Sequence, residues 1–152
     1  MVEQSTDANR RFLAVDEAEL GHLLKSFNAN PPALKQAIAE AELRIGRRLP
    51  ENYTNFLSIA NGGEGFIGGN AYVILWRAEE LMDMQEAYCV SKFAPGLFLF
   101  GSDGGGEAYA YDFRTRAEPI VNVPFVGMDL KMVRELAPNL LDFLKYLASY
   151  VP

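Results

Sequence analysis

Residues 100–112, FGSDGGGEAYAYD, place three consecutive glycines between two stretches in which aromatic residues alternate with small ones. Alternation at period two marks a strand, and glycine reverses a chain at little steric cost. The stretch predicts a hairpin, with strands over 97–100 and 107–113. In its bend Gly104–Gly106 take positive φ, and Phe98, Phe100, Tyr109 and Tyr111 contribute alternate side chains. Phosphate-binding readings fail on the residues just after the glycines. A P-loop needs a lysine and a hydroxyl at a helix start, but Gly106 is followed by Glu107, Ala108 and a strand pattern. The dinucleotide fingerprint lacks its helix for the same reason. Asp103, Glu107 and Asp112 do not fall at calcium-loop spacing.

The flanking sequence changes period. Leu20, Leu23, Leu24 and Phe27 share one face of a short helix over 16–28. Asn30-Pro31-Pro32 breaks the chain and supplies a cap and a first-turn proline for a second helix. That helix turns Leu34, Ala37, Ile38, Ala41 and Ile45 inward and ends at Gly46. A third begins at Pro50-Glu51, buries Tyr53, Phe56, Leu57 and Ala60, and stops at Asn61-Gly62-Gly63. YVILW (72–76) reads as a buried strand, with FIGGNA (66–71) as a short strand or turn before it. Helical spacing returns in AEELMDMQEAY through Leu81, Met84 and Tyr88. PIVNVPFV (119–126) is a further strand whose prolines suggest a sheet edge. After Pro138 a last helix turns Leu140, Leu144, Leu147 and Val151 inward. Helices first, strands in the middle and one helix at the end predict a single α+β domain. The polar residues 1–12 are expected to be frayed, leaving 13–152 as the domain.

Charge and cysteine content narrow the function classes. A net charge of −6 disfavours nucleic acid or an anionic membrane as the direct partner and suits a basic protein. The single cysteine, Cys89, rules out an internal disulfide and fits a reducing compartment. With no basic start followed by an apolar run, and no stretch near the ~20 apolar residues of a membrane span, a cytoplasmic protein is expected. Candidate chemistry is sparse. His22, the one histidine, sits on a predicted helix, and Cys89 has no base near it in sequence. No residues have zinc-site spacing, so neither a metal nor a cofactor is expected. Trp76 reads as core, and Glu79, Glu80, Asp83 and Glu86 as an acidic helix face. Glu64, Asp103, Glu107 and Asp112 leave one alternative open: convergence into the carboxylate site of a small-molecule-binding or hydrolytic enzyme.

IGRRLPENYTNFLSIANGGEGF (45–66), Trp76 followed by Glu79 and Glu80, and LFGSDGGGEAYAYD (99–112) together resemble the SUKH superfamily. That superfamily includes fungal cell-wall-assembly regulators and many bacterial toxin-immunity proteins. The likeness spans roughly residues 34–148. Its motif positions here are Gly46, Leu49, Pro50, Tyr53, Phe56, Leu57, Asn61, Gly62, Gly63, Trp76, Glu79, Phe100, Gly101, Asp103, Gly104, Gly105, Gly106, Tyr111 and Asp112, with Ser102 inserted before Asp103. The resemblance implies an α+β domain with a curved, mostly antiparallel sheet and helices packed against it. It also implies protein binding and no catalysis: a cytoplasmic immunity protein that occludes a basic toxin domain, or a scaffold in a regulatory assembly. Glu64, Glu79, Glu80, Asp83, Asp103, Glu107 and Asp112, on turns or exposed faces, are the candidate contacts.

Overall fold

A computed structural model describes residues 17–152. The expected frayed stretch 1–12 and the start of the domain at 13 lie outside the described residues. The predicted hairpin is the centre of the fold. β4 (Leu97–Ser102) and β5 (Glu107–Asp112) pair antiparallel from Leu97↔Asp112 to Ser102↔Ala108. Every residue of the two strands except Glu107 is buried. Strands buried on both faces need a layer of structure on each.

β1 (Phe27–Ala29), β2 (Gly63–Ile67) and β3 (Ala71–Leu75) extend the sheet on one side. β6 (Ile120–Pro124) and β7 (Arg134–Ala137) extend it on the other. Each strand pairs antiparallel with its neighbour in sequence, giving a seven-stranded meander in the order β1 to β7. The helices are α1 (residues 17–23), α2 (Lys35–Ile45), α3 (Glu51–Ile59), α4 (Leu81–Ala87), α5 (Val90–Phe93) and α6 (Leu140–Ala148). The architecture is the predicted α+β domain.

One face of the sheet is closed by aromatic packing. Phe143 of α6 stands edge-on to Tyr109 at 4.8 Å and to Phe100 at 5.8 Å. Tyr53 of α3 lies 5.5 Å from both Phe100 and Tyr111. Tilted and edge-on contacts of this kind add to the apolar area these rings bury. A register shift between Leu99 and Gly101 leaves Phe100 without a direct partner on β5. The simple alternation expected for the hairpin is broken there. α4 lies against β4 where β3 reaches β4 through only two paired positions, Ile74↔Ser102 and Leu75↔Gly101. Beyond them Gln85 stands in for a strand. Its Nε2 donates to Leu99 O at 2.7 Å, and its Oε1 accepts from Leu99 N at 2.9 Å.

Several expectations are corrected. Phe27 belongs to β1, paired with Gly65, and not to the first helix. α2 starts at Lys35: residues 30–34 have no regular structure, and Leu34, at φ −67° and ψ 145°, is still extended. β6 is not an edge: it lies between β5 and β7, with Pro119 and Pro124 at the limits of its ladder. β1 and β7 are the edges, and RELA at β7 carries no alternation that would have revealed it. Val151 is exposed beyond the end of α6.

Of the three adjacent glycines only Gly104 has positive φ, +79°. The reason is local hydrogen bonding. Ser102 Oγ accepts from Gly104 N, and Asp103 Oδ1 accepts from both Gly105 N and Glu107 N, so side chains shape most of the bend. Gly101 is the more demanding position: a Cβ there would come within 2.4 Å of Ile74 O in β3. Gly101→Ala is therefore expected to cost about 3 kcal/mol through forced strand separation. A Cβ added at Gly106 would meet nothing within 4 Å. Alanine there should change stability by no more than about 0.5 kcal/mol. Urea denaturation of both variants checks the contrast, and equal midpoints would contradict it.

Candidate functional site

The register pairs Tyr109 of β5 with Asn122 of β6. Residues two apart share a sheet face, so Glu107, Tyr109 and Tyr111 look the same way, toward α6. Tyr53 of α3 packs on Tyr111 and Phe143 of α6 on Tyr109, and the Glu107 end is left open. The result is a cleft of about 400 Å³. Its floor is Tyr109 and Asn122, and its walls include Asp103 and Tyr72 on one side and Arg134 of β7 on another. Tyr146 and Tyr150, at the end of α6 and just beyond it, form the rim.

Asn122 sets the chemistry of the floor. It is 6% exposed, and its Nδ2 donates to Glu107 Oε1 at 3.0 Å. Turning the amide over would set its carbonyl against the carboxylate, so Glu107 fixes which way it points. The Oδ1 is then left buried without a hydrogen-bond partner. A buried acceptor in that state costs about 1–3 kcal/mol. Asp103 holds the hairpin through Oδ1, which accepts from Gly105 N at 2.8 Å and Glu107 N at 3.1 Å. Burial, followed by the nearby Asp103, Tyr146 and Glu107, pushes the Tyr109 hydroxyl up to about 12. It remains a neutral hydroxyl at physiological pH. At the mouth the Tyr72 hydroxyl donates to Glu64, which raises its own pKa in turn.

The candidate acids therefore separate. Asp103 and Glu107 meet in the cleft, and Glu64 is tied to its edge through Tyr72. The other acids lie outside the cleft, with Glu79, Glu80 and Asp83 exposed. Glu79 Oε1 accepts from Asn61 Nδ2 at 2.9 Å, and Glu80 Oε1 accepts from Arg77 N at 3.2 Å. Asp83 pairs with Arg44 at 3.0 Å. Asp112 is buried, contrary to the expected exposed position, and does not converge with Asp103 and Glu107. It accepts from Arg114 Nε and Nη2, both at 2.9 Å, and from Arg114 N at 3.0 Å. Trp76 is buried as expected, its ring stacked with Tyr88 at 6.5 Å. Cys89 and His22 are exposed. Among the described residues no three His, Cys, Asp or Glu side chains gather as a metal would need. Sequence reasoning missed Tyr72, Asn122, Arg134, Tyr146 and Tyr150. Asn122 did carry a signal, as the one polar side chain inside IVNVP.

The motif residues prove to be neighbours. Asn61 Oδ1 accepts from Ala78 N at 2.8 Å while its Nδ2 reaches Glu79, joining the Asn-Gly-Gly stop to the segment after Trp76. Gly62, at φ +71°, passes so close to β3 that a Cβ would sit 2.4 Å from Leu75 O. Tyr53, Phe100 and Tyr111 form the aromatic cluster, and Phe56, Leu57 and Leu49 are buried beside it in the same core. Helices on a meandering sheet, held by these contacts, define a SUKH-type α+β domain. The model of the SMI1 / KNR4 family (SUKH-1) matches residues 32–146, and the chain belongs to that family. No individual curated protein matches it. Among the described residues no helix is long and apolar enough to cross a membrane.

The Asp112–Arg114 contact yields a pH prediction. The guanidinium hydrogen bonds hold the Asp112 carboxyl below its ordinary value, against the opposing effect of burial. A depressed folded-state pKa stabilises above the unfolded value of about 3.9 and is lost as pH falls through the folded value. Asp112→Asn should lower the melting temperature at neutral pH, and the gap from wild type should narrow as the pH falls below about 3.9. A gap that stays constant across a thermal-melt series at decreasing pH would contradict this.

Proposed function

We propose that this protein binds a basic protein and neutralises it by occlusion, as a cytoplasmic toxin-immunity module, and that it transforms no substrate. The observation that carries the reading is the sorting of the acids. Asp112 is buried against Arg114, and Glu79, Glu80 and Asp83 lie on exposed surface away from the cleft, whereas Glu64, Asp103 and Glu107 gather at one open cleft edged with tyrosines. Acidic groups speed encounter with a basic surface, and tyrosines supply apolar area with a polar tip at the contact. Membership of the SMI1 / KNR4 family supports a protein-binding role of this kind. Asp103 Oδ1, held by two backbone N–H groups, is placed to fix a surface.

A second reading has one observation in its favour. Asp103 and Glu107 do share the cleft, as a small-molecule-binding or hydrolytic site using paired carboxylates would require. It predicts turnover or binding of a small molecule that disappears when either acid is neutralised.

Co-expression with the product of a neighbouring toxin gene tests the first reading. Survival and a co-purifying complex are expected. Asp103→Asn with Glu107→Gln should weaken the complex at least about tenfold, the effect of removing charged hydrogen bonds from an interface. Asp83→Asn, remote from the cleft, should leave it unchanged. No protection and no complex would overturn the proposal.

A further inference from the structure

We propose that the cleft is a receptor for a guanidinium group, a single arginine side chain presented by the partner. This rests on the protein-binding reading above and adds to it the chemical group that the site takes. Three acceptors point to it: the carboxylates of Asp103 and Glu107, and Asn122 Oδ1. The last is the informative one. Asn122 is 6% exposed, its amide is fixed by Glu107, and its oxygen has no donor. A site that buries an acceptor in this state is completed by an incoming N–H group.

The choice of guanidinium over ammonium follows from geometry. Guanidinium offers five N–H donors in one plane, so a single group can serve a carboxylate and an adjacent carbonyl together. Its flat face also stacks on aromatic rings. Tyr72, in the wall, provides such a face, and Tyr146 and Tyr150, 44% and 52% exposed, flank the entrance. Arg134 is the one cation lining the cleft, and among the described residues it forms no ion pair. Its like charge opposes an incoming arginine without occupying either carboxylate.

The test uses the whole protein and two capped tripeptides, acetyl-Gly-Arg-Gly-amide and its citrulline counterpart, which has the same shape without the charge. Titrations are followed by two-dimensional amide NMR. The arginine peptide should give saturable shifts at residues 103–109 and at the Asn122 side-chain amide. The citrulline peptide should bind at least about tenfold more weakly, since each charged hydrogen bond lost costs that much or more. Asp103→Asn and Glu107→Gln keep the acceptor atoms used by Gly105 N and Asn122 Nδ2, so the hairpin is retained while the charge is removed. Each should weaken the arginine peptide to the level of citrulline, and unchanged melting curves would show that folding is not the cause. Arg134→Ala should tighten binding several-fold. Equal binding of the two peptides, shifts confined to residues 79–86, loss of binding in Arg134→Ala, or no shifts at all would overturn the proposal. The experiment needs no protein partner. Its failure beside an intact toxin complex would remove the arginine pocket alone, and the reverse result would remove the toxin.

Discussion

The side chain and backbone of Asn61 hold together three segments that are far apart in sequence. Its amide oxygen takes the N–H of Ala78, its amide nitrogen reaches Glu79, and its backbone carbonyl accepts from Asn30 Nδ2 at 3.0 Å. Its own N–H closes on Pro31 O at 3.2 Å. The chain leaving α3 is thereby fixed against the strand that precedes α2 and the turn that follows β3. With Gly62 allowing β3 to approach, β2 is launched in the one register that buries Gly63, Gly65 and Ile67 and exposes Glu64 and Phe66. Asparagine suits the position because it is both donor and acceptor. Aspartate would face Glu79 with like charge, and an apolar residue would leave a buried backbone N–H unpaired.

From that junction the position of the cleft follows. β2 and β3 place Tyr72 beside the β4–β5 bend, where its ring lies against Gly104. Phe100 packs into the cluster with Tyr53, Tyr111 and Phe143. That packing seats α3 and α6 over the sheet and leaves the Glu107 end uncovered. The site is thus a place where the helical layer stops, floored by a rigid strand pair. Acids placed on strands and a tight bend are held more firmly than acids on a mobile loop, which suits a surface that must present fixed charge to a partner.

The hairpin, the third helix and the last helix were legible because each has a strong local signal: alternation around glycines, an apolar face, a cap. β1 and β7 were not, since FNA and RELA are too short to show a period and are defined by pairing with distant chain. The bend was read from its glycines, but Ser102 and Asp103 do most of the shaping. The site was half visible. Asp103 and Glu107 could be named from sequence, yet no spacing distinguishes them from Asp112, which lies on the same strand as Glu107 and faces the other way into Arg114. Tyr146, Tyr150 and Arg134 join the cleft only through the packing of α6 and the pairing of β7, and tertiary contacts of that kind leave no local mark.

On the reading proposed above, the open end of the sheet, and not the acidic helix at 79–86, is the face that meets the partner. Hydrogen exchange measured on the protein alone and in complex with a protein partner addresses this directly. Slowed exchange is predicted at residues 103–109, at Asn122 and through the end of α6, with α2 and α4 unchanged. Protection confined to α2 and α4, with the cleft exchanging as in the free protein, would contradict it.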